Sequence, residues 1–258
     1  MLSRPLAASS FAMGCMLMFA ASPLVHATPP DPTVTLDGAS FQVQFQPFSG
    51  PTTAAGETPD GTEPRVIAGR THYRWGTDTK SRALPFTVRN WNIVATGSGE
   101  SALTVLCESR GATSTGTCAR VDAAGKHVLF KLPTPPAPDR FAICANQYLV
   151  GVATYGTTIV HDLKAQRLVG RDGEAGVHAR ADFYGGPSCS PDGRFVAVPD
   201  TRAAAVFFFR LADGARVARV DVPAPEGYVP AFVTWQQAPD ALIRVQLAPD
   251  PVATNPPK

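Results

Sequence analysis

The chain has 258 residues, with 23 lysines and arginines against 21 aspartates and glutamates and a formal charge of +2. No lysine or arginine block stands out, so neither a nucleic-acid footprint nor a polybasic membrane patch is indicated. Twenty-five prolines and 22 glycines without a strict period mark a turn-rich chain rather than a helical one.

Arg4 is the only charged residue among the first 27, and the apolar run "FAMGCMLMFAASPLV" follows it. "VHA" then offers a cleavage point after Ala27, so residues 1–27 are expected to be a signal peptide. A membrane anchor is the alternative, but the run falls short of about 20 apolar residues and contains Pro23. A lipid on Cys15 is a second alternative; Ala12 stands where that signal wants leucine, and the cut would halve the apolar run. Cleavage after Ala27 leaves residues 28–258 as one all-β domain with flexible termini, secreted or periplasmic, carrying four cysteines.

Residues 28–34 read as a mostly unpaired leader. "VTLDGASFQVQFQPF" alternates as a hairpin around Asp37-Gly38, and "SGPTTAAGETPDGTEP" reads as loop. Strands are expected to resume at "RVIAG" and within "LPFTVRNWNIVATG". Cys107 and Cys118 flank the polar "ESRGATSTGT", a candidate hairpin loop, and are the first choice for a disulfide among three possible pairings of the four cysteines. Free buried thiols are the alternative. Closing so short a loop is worth about 3 kcal/mol on the chain-entropy account.

From residue 119 the layout becomes periodic. "ARVDAAGKHVLFKL", "TTIVHDLKAQRLVG" and "AAVFFFRLADGARVARVDV" each hold two apolar runs around a turn, and "CANQYLVGV" lies under "CSPDGRFVAV". Placing Asp122 on Asp162 gives a spacing of 40, and Leu163 on Leu211 gives 48. Short strands repeating at that period are the sequence signature of propeller blades, because a small twisted sheet covers both faces only by stacking on neighbours.

On these residues the chain resembles the WD40-like and TolB-like β-propeller proteins over roughly residues 90–248. The resemblance implies that Asp192-Gly193 turns from the first strand of a blade into the second. Asp213-Gly214 and Ala124-Gly125 would turn into the outer strand. It also puts Arg210 where the pattern favours aspartate, and His161-Asp162 near the Trp-Asp position. The expected fold is an irregular propeller of about five blades, with "FQVQFQP" completing the last blade against "FVTWQQ" or "ALIRVQL"; a β-sandwich with long loops is the competitor. Ala165 stands for the missing glycine of the middle repeat, which predicts a turn of different shape there. Cys144 aligns with Cys189, so repeat symmetry predicts a cross-blade disulfide between them, given Cα atoms within about 7 Å.

Candidate chemistry is sparse. His72, His127, His161 and His178 are widely separated, neither H-x-x-x-H nor C-x-x-C occurs, and no metal or cofactor is indicated. His127 and His161 read as strand residues, and the cluster of Glu174, His178 and Asp182 as a polar inter-blade loop. "GPSCS" matches no nucleophile signature. Arg89, Trp91, Tyr228 and Trp235 join a looser set of aromatic and arginine residues, with Trp235 read as core. Tyr73, Arg74 and Trp75, set among polar neighbours in "THYRWGTD", are the candidate binding residues, since aromatic and arginine side chains serve as interface anchors. The expected function is non-catalytic recognition of a protein or glycan in the cell envelope by a monomer, as an inhibitor, immunity-type or assembly factor. A propeller enzyme using the central channel (hydrolase, lyase or oxidoreductase) is the alternative.

Overall fold

The computed structural model describes residues 31–48, 65–67, 70–74, 79–88, 93–96, 103–108, 116–122, 124–132, 140–152, 157–172, 186–236 and 241–250. The expected leader 1–27 lies outside these residues, as do Trp75, Arg89, Trp91, Glu174, His178 and Asp182. Among the described residues all regular structure is β-strand.

In chain order the strands are β1 (Thr33–Leu36) and β2 (Ala39–Pro47); β3 (Arg65–Ile67), β4 (Arg70–Tyr73) and β5 (Arg82–Leu84); β6 (Ile93–Thr96), β7 (Leu103–Cys107), β8 (Thr117–Val121) and β9 (His127–Lys131). Then come β10 (Arg140–Cys144), β11 (Tyr148–Val152), β12 (Thr158–Asp162) and β13 (Arg167–Asp172). They are followed by β14 (Ser188–Cys189), β15 (Phe195–Asp200), β16 (Ala205–Arg210) and β17 (Arg216–Asp221), and by β18 (Tyr228–Gln236) and β19 (Leu242–Pro249). They form five sheets: a first of order β1-β2-β19-β18, a second of β3 to β5, a third of β6 to β9, a fourth of β10 to β13 and a fifth of β14 to β17. Five small sheets, four of them built from strands consecutive in the chain, make a β-propeller-like fold and not a sandwich of two sheets.

The stacking follows from the pleat. Phe207, Phe208 and Phe209 are consecutive, and successive side chains of a strand leave opposite faces. Phe208 therefore packs on the first sheet with Val34, Val43, Ile243 and Val245. Phe207 and Phe209 pack on the fourth with Val150 and Val160. The third sheet meets the fourth through Val105, Phe141, Ile143, Leu149 and Ile159, and the second meets the third through Tyr73, Leu84, Leu106, Ala119 and Val121.

The N-terminal strand does complete the last sheet. β2 pairs with β19, from Gln42 opposite Leu242 to Pro47 opposite Leu247, in parallel. Among the described residues, that pairing and the three-stranded second sheet depart from the regular pattern. Gly193, Gly214 and Gly125 all have positive φ, at the turns into β15, β17 and β9.

The middle-repeat turn corrects the expectation made for Ala165. Gln166, 48 residues before Gly214, has φ +51° and fills the left-handed position. Both repeats also shift register at the matching place, between Val160 and His161 and between Phe208 and Phe209. The turn shape is therefore kept, with glutamine accepting the conformation that glycine takes in the next repeat.

Candidate functional site

Tyr73 is not a surface anchor. It lies in β4, the central strand of the second sheet, where alternation turns Thr71 and Tyr73 inward, and its side chain is fully buried. Polar neighbours in the sequence had suggested exposure; a strand of period 2 buries every other residue whatever stands between. The Tyr73 hydroxyl donates to the carbonyl of Gly125 (3.0 Å) and lies 2.9 Å from Nδ1 of His127. Its single proton goes to the carbonyl, so His127 Nδ1–H donates to the phenol oxygen. Arg74 is half-buried, and its Nε is enclosed without a hydrogen-bond partner among the described residues.

Tyr73 thus holds the turn and first residue of another strand, β9, and that strand is the exposed one. Val128 and Leu129 are 46% and 45% accessible, on opposite faces of the outermost strand of the third sheet. Exposed edges in soluble proteins are normally blunted by charge. The matching strand of the fifth sheet, β17, follows that rule: Arg216 pairs with Asp172 (3.4 Å), and Arg219 with Asp221 (2.7 Å). β9 reads His-Val-Leu-Phe-Lys instead.

β9 is rigidly supported. Cys107 and Cys118 sit directly opposite each other in β7 and β8 and form a disulfide. Cys118 is in turn opposite Phe130. On the side of the fourth sheet, Arg120 donates through Nη1 to the Leu163 carbonyl (2.8 Å), and Phe130 stacks on His161 with centroids 5.1 Å apart and planes 15° apart. Arg120, Val128, Phe130, His161, Leu163 and Gln166 line a shallow cleft beside the strand. His161 is buried, neither ring nitrogen has a partner among the described residues, and burial pushes its pKa below the ordinary value while Asp162 pulls the other way.

The second disulfide is the cross-blade one. Cys144 ends β10 and Cys189 ends β14, with Cα atoms 5.4 Å apart, joining the first strands of the fourth and fifth sheets. Trp235 packs edge-on against Phe41 and Phe208, and its Nε1–H donates to Ser188 O (3.0 Å). Among the described residues no three His, Cys, Asp or Glu side chains gather as a metal site.

β9 is legible in the sequence as a strand, but its exposure is not, because four consecutive residues, His127 to Phe130, look like a buried one. The available signal was position: β9 is the outer strand of its repeat, where β13 and β17 carry arginine and aspartate.

No family model matches the chain, and no curated protein does. Among solved structures it is similar to apo AztD from Citrobacter koseri, at 10% identity and TM-score 0.41, over 71% of this chain and 48% of that one. BamB from Moraxella catarrhalis gives 14% identity and TM-score 0.40, over 70% and 52%. Kuenenia stuttgartiensis hydrazine synthase gives 12% and 0.37, over 57% and 46%. The chain thus spans about half the length of each, and at these values the likenesses carry no argument about what it binds or does.

Proposed function

We propose that this is a non-catalytic recognition protein of the cell envelope or the exterior, and that it binds another protein through the outer edge of the third sheet. One observation carries the reading: Val128 and Leu129 stand exposed on an edge strand whose His127 is hydrogen-bonded to Tyr73 and whose Phe130 stacks on His161. A strand so supported keeps its shape at little entropic cost when a partner arrives, which favours affinity. The apolar leader and two disulfides support an oxidising compartment.

The test is capture from an envelope extract by wild type and by Val128→Asp, read by quantitative mass spectrometry. A partner bound at this edge is expected to fall at least about 10-fold with Val128→Asp, the loss of a modest interface anchor. The melting temperature should hold, because Val128 is exposed. Equal capture by both proteins would remove the edge from the account.

A further inference from the structure

Resting on that reading, we infer that β9 takes up an extended peptide segment as a fifth strand of the third sheet, and that this segment is apolar in its middle with a carboxylate at each end. The backbone argument comes from the ladder. Leu132 N–H bonds to Gly116 O, and Asp122 N–H bonds to Lys126 O. Inward bonding alternates along an antiparallel pair, so Val128 and Phe130 bond to β8, while His127, Leu129 and Lys131 turn their N–H and C=O groups away from it. No backbone partner for those three outward residues is found among the described residues. Such a row is the template for strand addition, in which main-chain bonds supply affinity and flanking side chains supply choice.

Charge selects the occupant. Lys126 and Lys131 bracket the strand, both exposed. Asp122 uses its Oδ1 to cap the Lys126 backbone N–H (2.9 Å). A second copy of this chain fits badly. Antiparallel self-pairing centred on Leu129 sets Lys131 opposite His127 and Lys126 opposite Leu132, so neither lysine meets an anionic partner across the pair. A segment with acidic residues five positions apart meets a lysine at each end instead.

The probe is a capped hexapeptide library, Glu-Xaa4-Glu against Lys-Xaa4-Lys, with Xaa drawn from Val, Ile, Thr, Tyr and Phe, captured on the oxidised full-length protein. Glu-ended members are expected to be enriched at least about 10-fold, and the double variant Lys126→Glu/Lys131→Glu should reverse the preference. Amide exchange by NMR should slow at His127, Leu129 and Lys131 when an enriched peptide is added, and stay unchanged at Val128 and Phe130. Copies of that peptide N-methylated at the alternate residues whose N–H groups face β9 should lose binding at least about 10-fold, since they keep every side chain but lose the bonding donors, whereas methylation of the other alternate set leaves those donors in place. No enrichment, uniform slowing along the strand, or full binding by the copies methylated on the facing set overturns strand addition. If Val128→Asp still costs a captured partner in that case, the edge remains the binding surface and only the mode of binding is wrong.

Discussion

Two separate constraints hold Gly193. Its φ of +68° lies in the left-handed region, and a Cβ there would come within 2.7 Å of the Ala145 Cβ in the neighbouring sheet's turn. A β-branched residue at positive φ costs about 1–3 kcal/mol, and forced overpacking a similar amount. Gly193→Val is therefore expected to lower stability by at least about 2 kcal/mol in urea unfolding. Ala145→Gly in the same chain should recover the contact share, read as a double-mutant cycle with Ala145→Gly alone, because Ala145 has φ +52° and glycine also relieves that strain. An unchanged urea midpoint would show that neither constraint is real. Asp-Gly pairs made this turn and the one at Gly214 legible in the sequence. What no local pattern could show is that Gly214 lies against Gly170, where a Cβ would meet the Gly214 Cα at 2.5 Å. That contact joins residues 44 apart in the chain. Tyr73 failed for a related reason: its neighbours in sequence are polar, but its neighbours in space are Leu106, Ala119 and Val121. Arg210 departs from the aspartate of the propeller pattern and uses its charge across sheets, donating to Asp37 through Nη2 (2.6 Å) and Nε (3.1 Å).

At the scale of the element, strands were legible where apolar residues alternate, as in β1 and β2, or run together, as in β12 and β16. β12 is buried at every position, and "TIVHD" reads as a buried strand on hydrophobicity alone. β4 and β5 escaped because short strands with threonine, histidine and arginine have little apolar signal. The one polar ring inside β12 sets a pH dependence. His161 is held below its ordinary pKa by burial, so the unfolded chain takes up a proton before the folded one does. The stability it contributes is present above about pH 6.5 and is lost as pH falls through its lowered folded value. Of the facing groups, Asp162 favours the charged ring against the effect of burial, and Arg120 of β8 lines the same cleft. His161→Phe removes the proton site and keeps an aromatic ring against Phe130. Its unfolding free energy should vary less with pH below about 6.5 than that of wild type. Parallel pH curves for the two proteins would mean that His161 is not the group being titrated.

At the scale of the molecule, the first and last strands share one sheet, so the fold is completed by its own N-terminal hairpin. Val34, Leu36 and Val43 are 5%, 0% and 0% accessible, and all three pack in one cluster with Ile243, Val245 and Phe208. Burying each is worth about 1.5–3 kcal/mol, and a domain's whole stability is only about 5–15 kcal/mol. A chain lacking residues 28–48 should therefore lose its cooperative unfolding transition even with both disulfides intact. A synthetic peptide of residues 28–48 should restore that transition in trans, because the β19 edge and the pocket over Phe208 would still be offered to it. The Asp37 carboxylate adds orientation to this closure. It lies below the usual carboxylate range chiefly through the Arg210 hydrogen bond, with Arg194 (3.1 Å) assisting. These groups are solvated, and exposed pairs are weak and screened by salt. A 28–48 peptide carrying Asp37→Asn should thus rescue less well than the native peptide at low salt and equally well at high salt. Unfolding of the shortened chain at the wild-type denaturant concentration would show that the hairpin decorates a fold already complete without it.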